Sequence, residues 1–170
     1  MRAAGVILAI GVALVLQTTL ARFVIRGTVA LDLVLVVVVY VALTSGPVTG
    51  LLSGAFAGLV QDALSTGGVI GIGGLAKTVV GFLTGIVGTQ FIVAQPLPRF
   101  VVFFAATFAH AVMFIGLYVL LDLRQFGTPY AAVTGQAVSN AVVGVVAFQL
   151  VELLPGAVER RRASRGRLRR

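Results

Sequence analysis

Between Ala3 and Leu154 the chain passes through six apolar stretches, at about Ala3–Ala21, Val29–Thr44, Pro47–Leu64, Gly71–Val93, Arg99–Leu121 and Ala131–Leu154. Crossing the hydrocarbon core of a bilayer takes about 20 helical residues, and these runs are of that order. A water-soluble domain cannot hide so many apolar side chains behind so little polar surface: 59% of the residues are hydrophobic, 11% are charged, and the mean hydropathy is +1.09. In lipid every backbone N–H and C=O must be satisfied within the protein, which makes the helix the natural element for such runs. The chain therefore reads as an all-α integral membrane protein. A six-helix transmembrane bundle fills residues 1–156, and a basic segment at 157–170 is expected to be disordered. Connections are short, and no shift in composition marks a second domain. The first run is long for the apolar part of a signal peptide and no clear small-x-small site follows it, so the first helix is expected to be retained.

With six spans both termini lie on one side. Arg2, Arg99 and the seven arginines after Val158 share that side, whereas Arg22, Arg26 and Arg124 fall on the other. The imbalance assigns both termini to the cytoplasm. The terminal arginines, Arg160, Arg161, Arg162, Arg165, Arg167, Arg169 and Arg170, carry most of the net charge of +8. They suit anionic lipid headgroups or an acidic cytoplasmic partner, although a topology anchor alone accounts for the run. Nucleic acid is not an expected partner, because no aromatic or folded platform accompanies the arginines.

Catalysis has little material to work with. Cysteine is absent, which excludes a disulfide framework, a thiolate metal site and a cysteine nucleophile. His110 is the only histidine, has no acid or nucleophile at a recognisable spacing, and a metal site would want several ligands. No catalytic residue, metal or cofactor is expected. The glycine-rich start of the fourth run is not a phosphate-binding loop, since Lys77 stands at the wrong spacing and no strand pattern precedes it.

Glycine recurs at Gly46, Gly50, Gly54 and Gly58, and the next step of four lands on Asp62. Apolar side chains gain nothing by leaving lipid for another apolar surface, so close backbone approach decides how membrane helices pack. The row cuts a groove for a neighbouring helix, and Gly81 and Gly85 repeat the device in the fourth run. Each step of four advances about 400° around the axis, so the groove drifts by about 40° per step and suits a right-handed crossing. Lys77 is the only lysine. It lies roughly 9 Å inside the fourth helix, where an ammonium needs a carboxylate or must snorkel to the surface. By connectivity Asp62 is the nearest carboxylate, Asp122 is an alternative, and the depth also allows snorkelling. Tyr40, His110, Gln136, Asn140 and Gln149 are expected to make interhelical hydrogen bonds.

The segment GLLSGAFAGLVQDALSTGGVIGIGGLAKTVVGFLTG resembles the signature of the MreD family of bacterial rod shape-determining proteins. That family has a G-x-x-x-G-x-x-x-D stretch ending its third helix, matched here by Gly54, Gly58 and Asp62. The end of the first run, LQTTLARF, and the second, LDLVLVVVVYVAL, also fit, as do chain length and layout. Leu31 departs, standing where many relatives have proline before the polar residue matched by Asp32. The resemblance implies a non-enzymatic subunit of the cell-elongation machinery in the bacterial cytoplasmic membrane. Such a subunit binds MreC and, through it, associates with RodA, a class B penicillin-binding protein and MreB, in support of peptidoglycan synthesis and rod shape. The family is also similar in fold to the substrate-binding S-component of energy-coupling-factor transporters. This implies the main alternative, a subunit with an outward-facing ligand pocket that docks through small residues of its first helix, such as Gly5, Ala9 and Ala13. Against it, the first outer loop is short and no aromatic or carboxylate cluster marks a pocket in the sequence. An ion or proton translocator would rest on Asp62, Lys77 and His110 alone.

Overall fold

The computed structural model describes residues 3–24, 31–65, 69–91, 95–123, 127 and 130–167, and of residues 20–24 and 154–167 the backbone only. The fold is all-α: α1 Ala3–Val24, α2 Leu33–Ser45, α3 Pro47–Leu64, α4 Ile72–Gln90, α5 Pro96–Leu120 and α6 Tyr130–Arg167. By length and composition α4, α5 and the Tyr130–Leu153 part of α6 suffice to cross a membrane, while Ala3–Thr19 and Leu33–Ser45 are shorter apolar segments. Successive helices alternate in direction, so α2, α4 and α6 all begin at one end of the bundle. Their mutual contacts keep that parallel register: Asp32 meets Lys77, Leu43 lies at Gly88, and Tyr40 packs edge-on to Phe148 with ring centroids 4.9 Å apart.

Two of these helices depart from the runs read in the sequence. α2 starts at Leu33 rather than near Val29, because the Asp32 side chain accepts a hydrogen bond from the Leu35 N–H and caps the helix there. α6 stays helical to Arg167, through most of the segment expected to be disordered. The side chains of Arg160, Arg161, Arg162, Arg165 and Arg167 lie outside the description, as do Arg2, Arg22, Arg26, Arg124, Arg169 and Arg170 altogether.

α2 is the axis of the bundle. Val34, Leu35, Val38, Val39 and Val41 have no exposed surface, and they divide between two clusters on opposite sides of the helix. One cluster joins α2 to α1 and α3 through Ile10, Ala13 and Ala57; the other joins it to α4, α5 and α6 through Val80, Phe103 and Ala141. A helix apolar on every face belongs inside, and this one is enclosed by the rest. The outer faces of the surrounding helices carry Leu8, Val15, Leu52, Val101 and Leu150, all exposed and suited to lipid.

Candidate functional site

The glycine row of α3 lies against α4 backbone to backbone. A Cβ built at Gly54 would stand 2.7 Å from the Lys77 carbonyl carbon, one at Gly50 2.9 Å from that of Gly81, and one at Gly58 2.9 Å from the Gly74 nitrogen. In return, Gly81 faces Gly50, and Gly85 faces Pro47 with 2.6 Å from a built Cβ to the proline nitrogen. Gly46 closes this contact at the α2–α3 junction, its carbonyl carbon 2.7 Å from a Cβ built at Gly85, with φ +87, a backbone state that a residue with a side chain rarely adopts. Close approach brings main-chain atoms of the two helices into dispersion contact, which is how helices associate in lipid.

Asp62 continues the row and gives it a terminus with a function. Its Oδ2 accepts from the Gly71 N–H at 2.9 Å and the Gly74 N–H at 3.0 Å, so a side chain of α3 caps the first turn of α4. A Cβ at Gly73 would run into the same carboxylate. The first amides of a helix have no partner within it, and a carboxylate there also meets the positive end of the helix dipole. Asp62→Ala is expected to destabilise the fold by about 1–2 kcal/mol, and Asp62→Asn by less because it keeps an acceptor. Thermal unfolding of the purified variants checks this, and equal midpoints for Ala and Asn would count against the cap.

Lys77 is engaged elsewhere. Its Nζ lies 2.8 Å from Asp32 Oδ2, so the ammonium pairs neither with Asp62 nor with Asp122 and does not snorkel: Lys77 is 3% and Asp32 5% exposed. Asp122 sits exposed just beyond α5. The ammonium also lies 3.2 Å from His110 Nε2. Because an ammonium only donates, Nε2 accepts and a neutral imidazole carries its proton on Nδ1. The pair stands deep in the bundle. Asn140, at the same level, is ten residues into α6, hence about 15 Å from the start of that helix.

The same cluster solves a problem of chain geometry. α2 has 13 residues and is about 20 Å long, shorter than the roughly 30 Å hydrocarbon core, so its N-terminal amides open inside the bundle. Each orphaned donor there is costly unless it finds an acceptor. The Asp32 N–H donates to Asn140 Oδ1 at 3.0 Å, Val34 N–H to Gln17 Oε1 at 3.3 Å, and Leu35 N–H to Asp32 Oδ1 at 2.9 Å. Asn140 in turn donates to Thr107 Oγ1 at 3.4 Å, and Thr107 donates to the Phe103 carbonyl. α1, α4, α5 and α6 thus all contribute a polar side chain at the start of α2.

From this cluster a cavity of about 370 Å³ extends to Val69 and Tyr118 near the end of the bundle where α2, α4 and α6 begin. Asp32, Lys77 and His110 border it, as do Asp62, Phe114, Tyr118 and Gln136. No aromatic or carboxylate cluster was visible in the sequence, but the fold assembles one, drawn from residues far apart along the chain. Of the other polar residues expected to bridge helices, Tyr40 makes the aromatic contact described above and Gln149 is exposed. Sequence reasoning also passed over the opposite end of the bundle. There Arg99 donates to Glu152 from its two terminal guanidinium nitrogens, at 2.8 and 2.6 Å, and its guanidinium carbon lies 3.9 Å from the Phe148 ring centroid. Among the described residues no three His, Cys, Asp or Glu side chains group as a metal site.

The family model described as rod shape-determining protein MreD matches residues 2–155. No curated protein and no solved structure matches the chain.

Proposed function

The chain belongs to the MreD family of rod shape-determining membrane proteins, and on that premise we propose that it is a non-enzymatic subunit of the cell-elongation complex in the bacterial cytoplasmic membrane. In this role it binds MreC and acts with RodA, a class B penicillin-binding protein and MreB in peptidoglycan synthesis. The observation that carries the proposal is the extent of the match, which takes in all of α1 to α5 and the membrane-length part of α6. A helical platform with lipid-facing apolar residues around a buried polar lock suits a scaffold better than a moving part. Affinity purification from the native membrane is the test. Recovery of MreC with the wall synthases supports the proposal, and a preparation without MreC overturns it. The outer cavity favours the alternative reading as an energy-coupling-factor S-component, for which co-purification of an ATPase pair is the sign.

In the same reading both termini are cytoplasmic, and the basic residues from Arg160 to Arg170 meet anionic headgroups. Truncation after Val158 is expected to leave insertion and the unfolding midpoint nearly unchanged, because Arg99 still biases orientation. A large loss of folded protein would show instead that these arginines dock on the bundle.

A further inference from the structure

We propose that the cavity bordered by Phe114 and Tyr118 binds an organic monovalent cation, an ammonium group carried on an apolar body. The sign of the guest follows from the charges on the wall. Lys77 and Asp32 cancel each other at 2.8 Å, and His110, which accepts from the Lys77 ammonium through Nε2, is neutral. Among the described residues this leaves Asp62 as the charge on the wall without a counter-charge. Its Oδ2 is taken by the Gly71 and Gly74 N–H groups, whereas Oδ1 accepts no hydrogen bond among the described residues. Gly73, also on the wall, keeps that oxygen uncovered, since any Cβ there would stand against Oδ1. An anion meets the reverse situation. The amides of Asp32, Val34 and Leu35 around the start of α2, and of Gly71 and Gly74 at the start of α4, already donate to side-chain oxygens. An open carboxylate oxygen on a net negative wall favours a cationic donor.

The body of the guest follows from the aromatic side of the cavity. His110, Phe114 and Tyr118 line one face of α5, with ring centroids 6.0 and 4.8 Å apart, and the Tyr118 hydroxyl is held by the Val69 N–H at 3.1 Å. Aromatic rings attract a cation placed within about 6 Å of their centroids and shelter apolar groups beside it. A volume of about 370 Å³ lies within the range of organic ligand sites, roughly 300–1,000 Å³. A bare metal ion would leave most of that space empty and would want several oxygen ligands at once. Near the end of the bundle the ammonium can belong to a soluble amine or to a lipid headgroup. The inference does not depend on which complex the chain joins, since it concerns the guest and not the partner.

Three probes of nearly equal size separate charge from shape: benzylammonium, benzyl alcohol and benzoate, each added at millimolar concentration to the full chain in uncharged maltoside micelles. Benzylammonium should raise the unfolding midpoint by about 2–4 °C and saturate, and the other two should leave it unchanged. Asp62→Asn, read against its own ligand-free midpoint, should abolish the response. Phe114→Leu should weaken the apparent affinity several-fold. A second arm adds short-chain phosphatidylethanolamine instead of the amine. A saturable shift that Asp62→Asn removes assigns the ammonium to a headgroup, and a response to benzylammonium alone assigns it to a soluble amine. The proposal fails if neither ammonium compound shifts the midpoint, if benzyl alcohol or benzoate acts as benzylammonium does, or if the shift survives in Asp62→Asn. Should Asp62→Asn not fold, an unchanged affinity in Phe114→Leu overturns it.

Discussion

Lys77→Met is expected to lower the stability of the bundle by about 3–5 kcal/mol, the range found when one partner of a buried ion pair is removed. The variant leaves the Asp32 carboxylate inside the protein without its ammonium, and it also removes the donor to His110 Nε2. Burial is what makes the effect large: an exposed pair of the same geometry contributes about 0–1 kcal/mol. Combining Lys77→Met with Asp32→Asn should recover a substantial part of the loss, because asparagine carries no charge yet still accepts the Leu35 N–H that caps α2. Unfolding of the two single variants and the double variant in nanodiscs measures the coupling. A double variant no better than the sum of the singles would remove the ion pair from the account.

Gly58→Leu is expected to be the other severe change. Overpacking a core typically costs about 1–3 kcal/mol, and that range assumes side chains that can rotate aside. Opposite Gly58 there is main chain, the Cα and nitrogen of Gly74, so the two helices would have to separate along their whole contact. For the same reason alanine at Gly54 is not a mild substitution. One methyl there raises helix propensity and is smaller than a leucine side chain, but it would meet the Lys77 carbonyl. Gly54→Ala should therefore lower the midpoint by several degrees, whereas Leu52→Val, at a position 61% exposed to lipid, should leave it unchanged. If Gly58→Leu unfolds like the parent chain, the seam between α3 and α4 is not what holds them.

How far the sequence reveals this structure depends on the range over which each signal acts. The glycine row is written at i, i+4 within one helix, and the helix opposite carries its own glycines, so both faces of the contact are local patterns. Helix existence is equally local, since apolar runs in lipid have few alternatives. The partner of Lys77 is not local. Connectivity pointed to Asp62 because α3 and α4 are adjacent, but Asp62 is drawn off by the unsatisfied amides at the start of α4. Asp32 takes its place through the parallel register of α2 and α4, which no spacing in either helix encodes. One signal did point that way: an aspartate just ahead of LVLVVVV is both a helix start and a carboxylate in the most apolar part of the chain. The cavity was illegible for a related reason, as its wall is gathered from several helices by their packing.

The seam between α3 and α4 has a consequence for how the chain is made. These helices are consecutive, so their contact closes as soon as α4 has been synthesised, and it zips from the Asp62–Gly71 bond toward Gly85 and Pro47. Contacts between near neighbours in sequence form early and quickly, and chains fold from the N-terminal side during synthesis. α4 therefore carries Lys77 toward α2 as part of a paired hairpin rather than as a lone helix with an unmatched charge. His110 and Asn140 arrive only with α5 and α6, and the clasp of Arg99 on Glu152 fastens last. Arrested chains that end beyond α4 should already cross-link through cysteines placed at Leu59 and Leu75, on the outer faces of the seam; no cross-link before α6 emerges would mean that the late helices drive the pairing instead.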